Sequence, residues 1–497
     1  MTGEEALRGS PRWMSSGAAI MFALVTMTLA ASALLTGPSL DDYWTLFLAD
    51  PLRSFDRTLA LWGEDIRPPI FDAWATLLSA IGVTSVPLAR LISNLPGLAV
   101  LLYVGRRFAD RLPNQAGFYG VFIILLVSAP ASFRAFGVYR PDFWQLAAFA
   151  IQIMLVRHIM FADQDYRSRA DGMLAVIGLV ATVSAIVLDY GGALFGGVVA
   201  MASVLAAIAR GFRRWTRSLL ITLGLSIGAV VGFIAWQSGS WSRQFDLYQN
   251  WIEMGPTSAS AIIVGLLVGT VFHNPLALAG FYIGRRDWHR GDMGFLIMIG
   301  AALLASLIAI IQVDAQRRLI TTSNTADIAA LATALMAAAG AKLAGRTIWI
   351  NALAGLALLS GLWSLGAINT DGRWQDGAKR IARMVADCPQ TRVYAMSGWR
   401  LDDGSASRTA RREEPVFALG YRKLGEALGF NPMMIDGAHA VAVPAGPCPT
   451  LIWIEQVPAD RNPSPRWILT SSRLVGLQAS RLKMFRTDSG ILIVAEH

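Results

Sequence analysis

The sequence predicts an α-helical polytopic membrane protein of about eleven spans, followed by a small α/β domain outside the membrane. Three observations carry this. The 497 residues are 54% hydrophobic and only 15% charged, with a mean hydropathy of +0.47, too apolar for a soluble chain. Apolar runs near the length needed to cross a bilayer, about 20 residues, recur along the first three quarters of the chain. Lys and Arg gather in short clusters between those runs, a topogenic pattern rather than a nucleic-acid-binding one, despite a net charge of +9.

The first run, Gly17 to Thr36, follows Arg8 and Arg12, which predicts a cytoplasmic N-terminus. It exceeds the hydrophobic stretch of about 7–15 residues found in cleaved signal peptides and is expected to be an uncleaved span. Further runs begin near Val83, Gly117, Asp142, Gly172, Gly192, Ser218, Ala259, Asp292, Thr325 and Arg346. Alternate loops then carry most of the basic residues: Arg106, Arg107 and Arg111; Arg157, Arg167 and Arg169; Arg210, Arg213, Arg214 and Arg217; Arg285, Arg286 and Arg290; Lys342 and Arg346. These are expected on the cytoplasmic side, with the C-terminus opposite, as in a bacterial inner membrane protein whose tail lies in the periplasm.

Residues 1–368 are therefore read as a transmembrane part that includes a large outer loop, 37–81. In that loop Leu52, Phe55, Leu59 and Trp62 recur at helical spacing opposite Arg53, Asp56 and Arg57, and Ile70, Trp74, Leu77, Leu78 and Ile81 form a second apolar face. Both read as helices lying in the interface. Residues 369–497 read as a soluble domain: a helix over Trp374 to Ala386, then strands at Arg392–Met396, Ala440–Val443, Leu451–Glu455 and Gly490–Ala495. Its two cysteines, Cys388 and Cys448, are disulfide candidates in an oxidising compartment and too few for a metal cluster.

Ionisable residues avoid the centres of the spans, His273 excepted; the His273-Asn274-Pro275 run reads as a kink. Charge collects instead at the outer ends: Asp41 and Asp42 after the first span, Asp65 and Arg67 before Pro68 and Pro69, Arg90 in the second span, Tyr139, Arg140 and Asp142 at the fourth, Asp189 after the fifth, Arg317 and Arg318 after the ninth. A single outward cavity can gather them. Carboxylates and arginines at that depth suit transfer from a lipid-linked phosphate to a hydroxyl: a carboxylate accepts the proton, and arginine stabilises charge on the leaving phosphate.

The order of these elements resembles the GT-C superfamily of polyprenyl-phosphate-sugar glycosyltransferases, the group of the protein O-mannosyltransferases and lipid A aminoarabinose transferases. Leu40-Asp41-Asp42-Tyr43-Trp44 resembles that family's acidic pair after the first span. Arg67-Pro68-Pro69-Ile70-Phe71 is similar to its His-Pro-Pro-like stretch, with Arg in place of His. Arg90-Leu91-Ile92-Ser93, Tyr139-Arg140-Pro141-Asp142, Arg317-Arg318-Leu319 and Arg373-Trp374 resemble its later elements in order.

The resemblance implies a GT-C-like fold and an inverting sugar transfer from a polyprenyl-phosphate donor to a lipid, glycan or protein acceptor. It implies Asp41 as catalytic base, with Asp42 as orienting partner or alternative base. Arg317 and Arg318 would hold the donor phosphate, with Arg90 and Arg140 as second choices that instead brace the cavity by pairing with Asp65, Asp142 or Asp189. No cofactor is expected, since no ligand set accompanies the adjacent carboxylates. Membrane lipids are expected partners; nucleic acid is not. Two other classes are open to the same residues: a transporter or flippase of lipid-linked saccharides, which predicts repeated halves and charges through the bilayer, and a non-catalytic envelope assembly protein.

Overall fold

A computed structural model describes residues 16–65, 67–162, 169–239, 259–284, 287–316, 326–344, 346–368, 373–398, 406–435, 441–443, 446–457, 463–471, 474–477 and 482–496. Each candidate span read from the sequence contributes helix among the described residues. The first is α1 (Ser16–Leu35). The outer loop folds into three short helices, α2 (Leu40–Leu48), α3 (Phe55–Glu64) and α4 (Ile70–Ala80). The bundle continues with α5 (Val86–Arg111), α6 (Ala116–Ser128), α7 (Pro130–Phe136), α8 (Asp142–Phe161), α9 (Arg169–Val187), α10 (Tyr190–Ala209) and α11 (Arg213–Trp236). It closes with α12 (Ala259–His273), α13 (Ala279–Ile283), α14 (Arg290–Gln316), α15 (Ala326–Gly340) and α16 (Thr347–Ile368).

Among the described residues, eight helices are long and apolar enough to cross a membrane, and two sharply bent pairs bring the count to ten. The run that begins near Gly172 forms α9, whose apolar stretch among the described residues is Val176–Val187. Both bends have a chemical cause. Pro130 forces Ala129 out of the helical region, and α6 and α7 meet at 63°. At the second, Asn274 precedes Pro275 and its side chain donates to the Leu353 carbonyl at 3.0 Å. His273 stands at that break, bonded to Ser128 Oγ at 2.9 Å and to Ser360 Oγ, the packing role its Pro-flanked position suggests.

The main core is the bundle interior, in which α6 and α8 are buried on nearly every side. α1 lies against α16, with Ala18, Val25, Leu29 and Ala33 fully buried. The predicted interfacial helices form, but with a rotated face: Leu78 turns inward with Phe71 and Ala75, while Ile70, Leu77 and Ile81 remain exposed, as do Leu52 and Phe55. That exposed apolar rim is suited to the lipid headgroup boundary.

The charge segregation read from the sequence appears as two polar ends of the bundle. At one end Arg157 and Lys342 meet on Asp292 at 2.5 and 2.7 Å, with the Arg157 guanidinium packed over Phe118, Phe161 and Phe295. The other end holds Asp41, Arg140, Asp142, Asp189 and Asp327.

The C-terminal part contains α17 (Gln375–Asp387), β1 (Arg392–Ser397), α18 (Ala406–Leu428), β2 (Met433–Met434), β3 (Val441–Ala442), β4 (Thr450–Glu455), α19 (Pro465–Ser471), β5 (Leu474–Val475), β6 (Leu482–Arg486) and β7 (Gly490–Ala495). A five-stranded sheet runs β2-β1-β4-β7-β6, with β2, β1 and β4 mutually parallel and β7 antiparallel to both neighbours. Strands β4 and β7 are buried throughout, as their unbroken apolar runs require. Cys388 and Cys448 are bonded, their Cα atoms 5.8 Å apart.

This domain is fused to the outer loop by a second hydrophobic core. Tyr43 of α2 meets Trp374 at a ring separation of 5.3 Å, and Trp374 stacks on Phe417 and Tyr421 of α18. The Trp374 N–H donates to the Pro38 carbonyl at 3.1 Å. Gly420 has no side chain because a Cβ there would stand 2.5 Å from Trp374 and 2.7 Å from Tyr43.

Candidate active site

The acidic pair opens α2, and its two members face different surroundings. Ser39 caps the helix, and Asp42 closes the capping box by accepting from the Ser39 N–H and hydroxyl, each at 2.7 Å. The periodicity of the helix then turns Asp42 inward, where it is fully buried, while Asp41 stays exposed.

Asp42 is saturated. Arg90 engages both its oxygens, through Nε at 2.9 Å and Nη2 at 2.6 Å, and the Tyr139 N–H donates to Oδ1 at 2.7 Å. Arg373 adds a fourth element of the chain, with Nη1 3.9 Å from Oδ2. Burial alone would push this carboxyl up, but Arg90, by charge and hydrogen bonds, together with Arg373 and Ser39, holds it down at about 2. Arg90 is itself spent: it also donates to Thr36 O and Oγ1 and to Gly37 O, at 2.7 to 2.9 Å. Two sequence expectations are corrected here. Asp42 has no acceptor capacity left for a substrate proton, so of its two roles only the orienting one fits. Arg90 is fully buried against Asp42 rather than facing a donor phosphate, and its partner is none of Asp65, Asp142 or Asp189.

Asp41 has the opposite environment. Its carboxylate is half exposed, and Oδ2 accepts from Arg140 Nη1 at 2.9 Å. Arg140 reaches this point because Asn94, one turn beyond Arg90, donates to the carbonyls of Phe136 and Val138 at 3.0 and 3.3 Å and so fixes the turn before α8. Its Nε lies 3.5 Å from Asp142. Burial would lower the Arg140 pKa; Asp142, Asp41 and Asp189 outweigh it and raise it well above the usual arginine value.

Behind Arg140 lies a small open polar cleft lined by Arg140, Asp142, Gln145, Asp189, Gly192, Ala326 and Asp327. Three of its carboxylates sit at helix N-termini, where unpaired N–H groups and the helix dipole favour anions. Asp189 caps α10 by accepting from the Gly191 N–H at 2.7 Å, while Asp142 and Asp327 occupy the first turns of α8 and α15. Gln145 Nε2 donates to Asp327 at 3.1 Å.

Beside the cleft, Arg67 pairs with Asp65 at 3.2 Å and is buried. Asp72, also buried, is pushed up to about 7, first by burial and then by Asp65, against the pull of Arg67 and Arg140. Tyr139 is buried with its ring 5.7 Å from Phe71, and its hydroxyl is driven well above the usual phenol range chiefly by burial, in part by Asp72, so it stays protonated.

Of the expected site residues, Asp41, Asp42, Arg90, Tyr139, Arg140, Asp142 and Asp189 thus meet at one end of the bundle, with Asp65 and Arg67 alongside. Arg317 and Arg318 lie outside the described residues. Asp72, Gln145 and Asp327 were missed by the sequence reading. Asp327 had a signal, an acid two residues into an apolar run at an outer end; Asp72 and Gln145 stand within largely apolar helices, and only the fold reveals them. Among the described residues no group of three or more His, Cys, Asp or Glu is placed to hold a metal ion.

No family model matches the chain, and no curated protein matches it either. Solved structures do. ArnT from Cupriavidus metallidurans in the apo state superposes with a TM-score of 0.52 at 14% identity, over 96% of this chain and 97% of that one. The same protein bound to undecaprenyl phosphate gives 0.55 at 14% identity, over 97% and 98%. The chain shares the fold of these ArnT structures. It is a multi-pass membrane protein of that architecture, and the likeness runs through the C-terminal domain as well as the bundle. In this fold the Asp41–Arg140 pair and the cleft occupy the end of the bundle that the C-terminal domain covers.

Proposed function

We propose that this protein is a membrane glycosyltransferase that moves a sugar from a polyprenyl-phosphate carrier to a hydroxyl of a lipid, glycan or protein, on the non-cytoplasmic face. The observation that carries the reading is Asp41: a half-exposed carboxylate braced by one arginine at the mouth of a polar cleft, next to a carboxylate wholly committed to structure. The GT-C fold supports it, as does the binding of undecaprenyl phosphate by the similar ArnT.

In this mechanism the acceptor hydroxyl attacks the anomeric carbon while Asp41 takes its proton. The carbon–oxygen bond to the phosphate breaks in the same step, and the electron pair leaves with the polyprenyl phosphate. One in-line displacement inverts the anomeric centre. Arg140 orients Asp41 through the 2.9 Å bond. Arg67, and the Arg317–Arg318 pair that follows α14, are the cations assigned to the growing phosphate charge.

Transfer reconstituted in proteoliposomes with polyprenyl-phosphate sugars tests the proposal. Asp41→Asn is expected to lower kcat by about 10²–10⁴ with insertion unchanged. Undiminished transfer by that variant would remove Asp41 as base. Mass spectrometry of envelope glycolipids, polysaccharides and glycoproteins from cells lacking the gene should reveal one missing sugar unit; an unchanged profile would overturn the enzymatic reading.

A further inference from the structure

The last residue of α11 and the one after it grip the loop that carries Arg67. Trp236 lies over the backbone of Gly63, where a Cβ would sit 3.3 Å from its ring. The next residue, Gln237, is fully buried. Its amide nitrogen donates to two carbonyls, Trp62 O in the last turn of α3 at 2.9 Å and Arg67 O in the segment that follows at 2.8 Å, and its carbonyl accepts from the Tyr190 hydroxyl at 2.5 Å. Its amide nitrogen has two carbonyl partners, and its oxygen is engaged by the Tyr190 hydroxyl.

The two sides of this bridge are two walls of the candidate site. On one, Trp62 and Arg67 bracket Asp65 and its ion pair with Arg67. On the other, Tyr190 directly follows Asp189, which lines the cleft with Arg140 and Asp142. We propose that Gln237 is a positioning residue that ties the Asp65–Arg67 loop to the Asp189 wall and sets the width of the site. It touches neither Asp41 nor the cleft. It acts through the backbone of Arg67 and the first turn of α10, and it rests on the proposed glycosyltransferase reading only for its effect on catalysis.

The alternatives are weaker in chemistry. Leu cannot donate, and Glu keeps an acceptor toward Tyr190 while losing both donors. Either removes the Gln237 N–H from the Arg67 carbonyl and leaves Trp62 O with the Asp65 N–H alone. The loop has a built-in reporter in the Asp65 amide, which donates to Leu61 O and also to Trp62 O, an oxygen shared with Gln237.

The test uses the full chain in lipid nanodiscs, by hydrogen–deuterium exchange and by transfer kinetics. Gln237→Leu and Gln237→Glu should speed exchange across residues 62–67 by about tenfold, with β4 and β7 unchanged. The donor KM should rise by about tenfold while kcat changes less. Tyr190→Phe removes one hydroxyl and no buried N–H; it should speed exchange in the same segment to a smaller degree, and it serves if the Gln237 variants fail to insert. Unaltered exchange over 62–67 in the variants, or an increase spread over the whole bundle, would overturn the proposal. A wild-type protein inactive with every polyprenyl-phosphate sugar would instead overturn the glycosyltransferase reading, leaving the exchange result to decide the role of Gln237.

Discussion

Asp41 and Asp42 are neighbours of identical chemistry, and changing each to asparagine should separate stability from activity. Asp42 is fully buried and accepts five hydrogen bonds, two of them from an equally buried Arg90. In Asp42→Asn an amide N–H₂ replaces one acceptor oxygen and confronts donors, and Arg90 keeps its charge without a counterion. Breaking a buried pair in this way costs about 3–5 kcal/mol. Asp41 pairs with Arg140 while half exposed, so Asp41→Asn should cost about 1 kcal/mol or less. Acid titration gives an independent check. A carboxyl held at about 2, against 3.8 ordinarily, contributes about 2.5 kcal/mol at neutral pH. Because the folded value is the lower one, that contribution is complete above 3.8 and disappears as the pH falls toward 2. Unfolding in mixed micelles with increasing SDS, followed by tryptophan fluorescence, measures both effects. Two asparagine variants of equal stability would refute the division of roles, as would an Asp42→Asn protein with an undiminished acid transition.

The Cys388–Cys448 bond closes a separation of 60 residues; replacing both by serine should destabilise the C-terminal domain by about 4 kcal/mol, and thiol labelling should require prior reduction. Glu455 is fully buried, accepting from Trp453 Nε1 at 2.5 Å and from the Ser489 hydroxyl; burial, partly offset by those two bonds, pushes it up to about 8. Its folded value is above the unfolded 4.5, so stability falls as pH rises between the two. Glu455→Gln should therefore flatten the pH dependence of domain unfolding between pH 5 and 8 by about 3–5 kcal/mol; an unchanged profile would count against a buried ionisable role. Gly420→Ala should loosen the packing of α18 on Tyr43 and Trp374 at a cost of about 1–3 kcal/mol, read as a lower SDS midpoint.

Long features were legible in the sequence because membrane insertion imposes length. Each candidate span contributed helix among the described residues, and the basic clusters around Arg157 and Lys342 were correctly grouped at one end, since chain topology alternates strictly. α2 was not foreseen, being too short to show periodicity, although Ser39 and Asp42 already had capping-box spacing. The helix Ala406–Leu428 was overlooked for a different reason: its charged first half and Pro415 mask an apolar stripe of Val416, Phe417, Tyr421 and Leu424 that the fold buries. Sequence order brought Asp41, Arg90 and Arg140 to one place but mispaired them. The Arg90–Asp42 bond joins residues 48 apart, and only the depth and turn of α2 decide which of two adjacent acids meets the arginine.

The ring stack of Tyr43, Trp374 and Tyr421 also has a biosynthetic consequence. The ribosome completes the acid-bearing helix early, yet the tryptophan that seats it is made more than 300 residues later. The Pro38 carbonyl likewise waits for the Trp374 amide. A nascent chain can thread every span before the mouth of its site takes shape, so competence arrives last, with the folding of the tail.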